Sequence, residues 1–173
     1  IRRKPIKELY RLQESCYASR ANWGVRIYNE ETKLLEVANI KEVFSTGVKP
    51  CFRLTLESSH SKKGKSIVAT KEHKFLTLSG WKRLEEITKD DFVAENGVPV
   101  YQDRQTVRYK KVASIEFVGD VETYDMEINA SSHNYVANGI VTHNSQRYAD
   151  VSQLDNSFCL REARMQDDKN RQN

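Results

Sequence analysis

Along most of the chain apolar and polar residues alternate with a period of two, the spacing of strands that bury one face. The alternation begins near Val25, where VRIYNEETKLLEVANIKEVFS predicts a hairpin turning at Asn29-Glu30-Glu31-Thr32. CFRLTLES, SIVATKEHKFLTL, FVAENGVPVY, YKKVASIEFVG, ETYDMEIN and HNYVANGIVTH come next as further strands, each rich in Val, Ile, Thr, Tyr or Phe. Ahead of them IKELYRLQ carries apolar residues at 6, 9, 10 and 12 after Pro5, which predicts a short helix. Gly80 with Trp81 marks a turn, and RLEEI at 83–87 fits one helical turn. Many short strands at close spacing predict a compact all-β domain, strongly bent rather than flat, with one or two short helices. No repeat of fixed period is present.

The alternation stops at Asn144. SQRYADVSQLDNSFCLREARMQDDKNRQN loses the period, and its last third is polar and helix-tolerant. Residues 145–173 hold too few apolar side chains to fold alone, so a domain boundary is expected at 144/145, with 145–173 a piece of another protein. The length, 173 residues, fits one ordinary domain plus such a tail. Hydrophobic residues make up 38% and charged residues 30%, yet 8 Tyr, 6 Phe and 2 Trp are enough to build a core. With 7 Gly and 3 Pro the chain is neither collagen-like nor of low complexity.

Charge and cysteine content narrow the function classes further. A net charge of +4 is modest, and no dense Lys/Arg face interleaved with aromatics appears, so no nucleic-acid partner is expected. The densest basic run, SKKGK at 61–65, reads as a solvated loop between two strands. No apolar run approaches the roughly 20 residues of a membrane span, and no secretory segment opens the chain. Cys16, Cys51 and Cys159 are odd in number and widely spaced. They form neither a disulfide framework nor a zinc pattern, which points to a reducing cytoplasm. Cys51, in PCFRLTL, reads as a buried strand residue.

The seam at 144/145 concentrates chemistry. An Asn side-chain amide can attack its own backbone carbonyl, forming a succinimide and cleaving the chain after itself. Positioning the attacking nitrogen can supply up to roughly 7–11 kcal/mol of the barrier. A neighbouring imidazole can protonate the leaving nitrogen or stabilise the carbonyl oxygen. A hydroxyl just past the cleavage point can accept an acyl group as a nucleophile. His143, Asn144 and Ser145 provide these groups in order. Taken alone, the tripeptide reads as a turn that ends a strand.

Its context is longer. SSHNYVANGIVTHNS resembles the C-terminal splicing motifs of inteins, in which HNxVANGIVxHN leads to the scissile Asn and then to Cys, Ser or Thr. TYDMEI at 123–128 resembles the family's companion segment, and ATKEHKFLT at 69–77 its Thr-x-x-His block. The similarity spans residues 1 to 144 in the expected order, and His73, His133 and His143 fall at motif positions. It implies the horseshoe-shaped, all-β fold shared with hedgehog autoprocessing domains. It also implies roles for single residues. Thr70 and His73 would polarise the upstream scissile peptide, and Asp125 would assist the acyl shift and transesterification. His133 and His143 would assist cyclisation of Asn144, and Ser145 would take the acyl group as an ester. No metal, nucleotide or other cofactor is implied, because the steps exchange acyl bonds and end in a stable amide and a succinimide. A His/Cys metal site made from the same residues lacks paired ligand spacing.

Inteins usually begin with Cys or Ser and a short first strand, and RRKPIKELYRLQ resembles the segment just after that strand. Cys16 lies past the helical segment and is a poor substitute for the first nucleophile. Either the chain is part of a contiguous intein, or it is the large C-terminal partner of a split intein with a very short N-terminal piece. The second is the favoured expectation, since a sheet edge can recapture a missing strand by strand addition. Its partner would then be that fragment with its N-extein. The stretch between His73 and Asp125 is too short for a homing-endonuclease domain. SQRYADVS and REARMQDDKNRQN resemble flavin-dependent thymidylate synthases, whose signature ends in Ser-x-Arg-Tyr, here Ser145 to Tyr148. Arg147 would then belong to that host's nucleotide site. Two rivals remain: a β-rich binding module in which the His-Asn pair is accidental, and a synthase fragment carrying an inert insertion.

Overall fold

The computed structural model describes residues 4–15, 23–58, 63–99 and 104–144. They form one helix, α1 (Ile6–Ser15), and nine strands: β1 (Gly24–Asn29), β2 (Leu34–Leu56), β3 (Ser66–Thr70), β4 (Lys74–Thr77), β5 (Gly80–Arg83), β6 (Phe92–Pro99), β7 (Gln105–Ile128), β8 (Asn134–Ala137) and β9 (Ile140–His143). The β1–β2 hairpin turns where the sequence predicts it, with the Asn29 side chain accepting hydrogen bonds from the Glu31 and Thr32 amides. RLEEI becomes a single 3-10 turn at Leu84–Glu86.

The expectation of uniformly short strands is corrected. β2 and β7 run 23 and 24 residues and pair antiparallel from Ile40↔Ile128 to Leu56↔Val112. The breaks expected between EVFS and CFRL, where Gly47 and Pro50 stand, and between EFVG and ETYD, just after Gly119, are absorbed within the ladder. Its register shifts at four places, including Ser45/Gly47 and Cys51/Phe52, and Gly47 and Gly119 take positive φ there. Each shift adds local twist, so a long ribbon bends instead of stopping.

That bend curls the whole sheet into a horseshoe. The strand order is β1-β2-β7-β6-β4-β9-β8, with β3 on β2 and β5 on β4. The curl brings the first and last strands together, where the buried Asn134 side chain bonds both backbone groups of Tyr28. Its Oδ1 accepts from the Tyr28 amide at 2.8 Å, and its Nδ2 donates to the Tyr28 carbonyl at 2.9 Å. A carboxamide here does the work of a strand residue and satisfies both buried backbone groups.

Three apolar clusters fill the curve. Leu54, Leu56, Phe75, Val93, Val112 and Ile140 centre one of them. Ile40, Val43, Met126, Ile128 and Tyr135 centre the second, on which α1 lays Ile6, Leu9 and Tyr10. Gln13 of α1 pins the helix by bonding both the amide and the carbonyl of Val43, each at 2.7 Å. Tyr28, Leu76, Ala94, Val107 and Val141 form the third. Cys51 is buried, as its strand pattern implies.

Candidate functional site

Sheet pairing gathers residues that are far apart in sequence. Phe75 of β4 sits opposite Thr142 of β9, which brings the turn before β4 beside the end of β9. In that turn the His73 amide bonds the Thr70 carbonyl at 3.2 Å, and the Leu84 amide bonds the His73 carbonyl at 2.9 Å. The imidazole is thereby held on a stiff loop between β3 and β4, with its ring edge-on to Phe75. β8 and β9 pair from Asn134↔His143 to Ala137↔Ile140 around the turn Asn138-Gly139, both at positive φ. Asn followed by Gly suits a turn that needs this conformation at both centres.

At the end of β9 the residue that leads into the seam is packed rather than open. Asn144 is buried, and its amide donates to the His133 carbonyl at 3.0 Å. His143 Nδ1 lies 2.7 Å from the Asn144 carbonyl oxygen. An Nδ1 that carries the proton donates to that oxygen and polarises the carbonyl that cyclisation would attack. The imidazole is fixed on two sides. Trp81 meets it edge-on at 5.1 Å, and His133 stacks with it at 6.3 Å. Trp81 in turn donates from Nε1 to Glu30 at 3.0 Å, which ties the β1–β2 turn to the site. Among the described residues Asn144 Oδ1 is the buried side-chain oxygen or nitrogen with no hydrogen-bond partner. An unpaired buried amide oxygen is costly, by about 1–3 kcal/mol, so this carboxamide sits where its own stability is not served.

Asp125 of β7 is buried and within electrostatic reach of His73. Burial pushes the His73 imidazole below its ordinary 6.5, the Asp125 carboxylate pulls it upward, and His143 pushes it down. The lowering prevails, so at neutral pH His73 is an uncharged imidazole able to accept as well as donate. Asp125 Oδ1 accepts from the Met126 amide at 2.8 Å and from the Tyr135 hydroxyl at 3.1 Å. Burial and the neighbouring carboxylate raise the Tyr135 phenol well above its usual range.

Of the seven site residues expected from the sequence, five are brought together: His73 lies within electrostatic reach of Asp125 and His143, His133 stacks with His143, and the Asn144 amide bonds the His133 carbonyl. Thr70 closes the turn beneath His73 through its carbonyl. Ser145 lies outside the described residues, as do Cys16, Arg147, Cys159 and the tail 145–173 as a whole. Sequence reasoning missed Tyr135 and Trp81. Tyr135 stands inside the C-terminal motif and Trp81 in the turn at Gly80, but their partners come from distant strands. It also misread part of SKKGK. Lys65 is no freely solvated loop residue, for its ammonium bonds the Asn96 carbonyl and side chain and lies 3.4 Å from the buried Glu95 carboxylate.

A curled sheet that converges histidines and a buried Asn on the end of its last strand has the architecture of a self-processing domain, one that rearranges its own peptide bonds. Residues 1–144 match the intein splicing domain model, and the chain belongs to that family. It is an autocatalytic protein-splicing domain. The replicative DNA helicase DnaB of Nostoc sp. is 36% identical over 118 residues, 67% of this chain and 12% of that protein. DnaB of Rhodothermus marinus is 41% identical over 93 residues, 54% of this chain and 8% of that protein. The chain thus spans a small part of these relatives. A DnaB intein from Synechocystis superposes with a TM-score of 0.67 at 32% identity, covering 84% of this chain and 89% of that one. The DnaX mini intein of Spirulina platensis gives 0.59 at 26% identity, over 70% and 81% of the two chains.

Proposed function

We propose that this domain splices in trans. It associates with a short N-terminal intein fragment carrying an N-extein, transfers that acyl group to Ser145, and leaves by cyclisation of Asn144. The fragment's first residue, a Cys or Ser, attacks the upstream scissile carbonyl, which Thr70 and the neutral His73 polarise. The amide becomes an ester or thioester, and the displaced nitrogen takes the proton. Ser145 Oγ then attacks this carbonyl, expels the first nucleophile, and holds the N-extein as a branched ester, with Asp125 assisting the exchange. Asn144 Nδ2 next attacks its own carbonyl carbon, the 144–145 C–N bond breaks, and the freed Ser145 amine takes a proton. Finally that amine attacks the ester, returning a normal peptide bond and the free hydroxyl.

The observation that carries this reading is the Asn144 carbonyl held 2.7 Å from His143 Nδ1, beside a carboxamide whose oxygen has no partner. That arrangement favours attack at one bond. Support for a second polypeptide comes from the sheet: among the described residues β3, which ends at Thr70, pairs with β2 alone, leaving an edge beside the site for an added strand. Positions 74 to 124 supply β4, β5, β6 and most of β7 of the same sheet, which supports a minimal element without a homing endonuclease. Each molecule acts once, since Asn144 is consumed. The host is proposed to be a flavin-dependent thymidylate synthase, on the sequence of SQRYADVS and REARMQDDKNRQN, so that Ser145 serves both the ligation and the host's signature.

The test is to mix the chain with the N-terminal fragment encoded in the same genome and follow intact masses. A ligated product lacking residues 1–144 is expected. A bound, folded complex whose masses do not change would sink the trans-splicing reading.

A further inference from the structure

Tyr135 has no place in the splicing steps, yet its hydroxyl is spent on the site. The ring is 4% exposed and packs in the cluster of Ile40, Val43, Met126 and Ile128. Phenylalanine would fill the same apolar space. A hydroxyl there adds a desolvation cost unless it is bonded, and its partner is the Asp125 carboxylate at 3.1 Å. The same oxygen accepts the Met126 amide, so Oδ1 receives two donors from different directions. Two such contacts fix the χ angles of a short side chain. His73 of the β3–β4 turn and Tyr135 of β8 face this carboxylate, and His143 of β9 reaches it only by way of His73, on which both act. The phenol keeps its proton throughout the working range and is a permanent donor.

The backbone of Tyr135 is tied to the other half of the site. It lies opposite Thr142 in the β8–β9 ladder, and its carbonyl accepts the Thr142 hydroxyl at 3.4 Å. Thr142 immediately precedes His143. One residue therefore touches Asp125 with its side chain and the strand of His143 and Asn144 with its backbone.

We propose that Tyr135 is a positioning residue of the splicing site: its hydroxyl orients the Asp125 carboxylate and registers it against the strand that carries His143 and Asn144. The inference rests on the reading that Asp125 assists acyl transfer. It predicts that Tyr135 acts on the rate only through Asp125.

A double-mutant cycle separates this from simple packing. In the splicing precursor, with Asn144→Ala included to stop release, formation of the branched ester is followed by mass for Tyr135→Phe, Asp125→Asn and the pair. Tyr135→Phe should slow the step roughly 10- to 150-fold, the range of a hydrogen bond to a charged group. In the Asp125→Asn background the same change should slow it no further. A normal rate in Tyr135→Phe, or slowing that multiplies with that of Asp125→Asn, overturns the inference while leaving the role of Asp125 intact. A normal rate in Asp125→Asn removes both. Should Tyr135→Phe not fold, 4-fluorophenylalanine at 135 fills the hydroxyl's volume with no proton to give. It should show the same slowing, and a wild-type rate with it overturns the proposal.

Discussion

Gly139, at the β8–β9 turn, is the position where a single added methyl should reach the site. Its φ is +80°, and a Cβ built there would stand 2.8 Å from Lys65 Cδ, 2.9 Å from Lys65 Cε and 3.0 Å from Asn96 Oδ1. A long lysine could usually swing aside. This one is anchored at its far end by the Asn96 carbonyl at 3.0 Å, the Asn96 side chain at 3.1 Å and Glu95 at 3.4 Å. Glu95 is buried and also accepts from Arg108 Nε at 2.5 Å, so the carboxylate cannot follow the lysine outward. Left-handed backbone costs a non-glycine residue about 1–2 kcal/mol. Displacing the anchored ammonium adds about 1–2 kcal/mol, the low end for charged hydrogen bonds because Lys65 is partly exposed. Gly139→Ala should therefore destabilise the domain by about 2–4 kcal/mol. Gly80→Ala is the matched control, since Gly80 has φ +99° and nothing within 4 Å of its Cβ position. It should cost only the backbone part, about 1–2 kcal/mol. Urea unfolding of both variants gives the difference, and adding Lys65→Ala should narrow it. Equal losses in the two alanine variants would refute the contact argument. Because β9 starts directly after Gly139, Gly139→Ala should also slow cleavage after Asn144 more than Gly80→Ala does.

Other changes probe separate links. His73 prefers its neutral form in the folded state, so the unfolded chain binds more protons below its ordinary 6.5. Stability should then fall as pH drops below about 6.5, with a slope contribution of at most about 1.4 kcal/mol per pH unit. His73→Gln should flatten that slope in denaturation series between pH 8 and 5, and an unchanged slope would contradict the assignment. His73→Ala should slow activation of the upstream junction by about 10²–10⁴, the usual range for a positioned acid, base or polarising group, as read by thioester or ester accumulation. Gln13→Ala removes both bonds that pin α1 to Val43 and should cost about 1–3 kcal/mol. Hydrogen exchange should then show α1 opening before the sheet.

Local patterns are enough to read the sheet and the β1–β2 hairpin from their alternation, and α1 and the 3-10 turn from helical spacing, because each is set by neighbours within a few residues. The continuity of β2 and β7 is not legible in this way. Gly47, Pro50 and Gly119 read locally as punctuation, and only their pairing across the ladder shows them to be bends inside two long strands. The same divide runs through the site. His73, Asp125, His133, His143 and Asn144 stand in contiguous motifs. Tyr135 and Trp81 acquire their relation to Asp125 and His143 from the curl of the sheet, which no local spacing encodes. Lys65 reads locally as a solvated loop residue for the same reason, since its partners Glu95 and Asn96 come from β6.

The bond after Asn144 is proposed to break by attack of its own carboxamide, with His143 on the carbonyl. The most direct measurement is the mass of the released domain ending at Asn144, taken early in the reaction. A product one water lighter than the hydrolytic fragment, absent in Asn144→Ala, is the predicted result. A product at the hydrolytic mass from the outset, or ligated extein from Asn144→Ala, would contradict it.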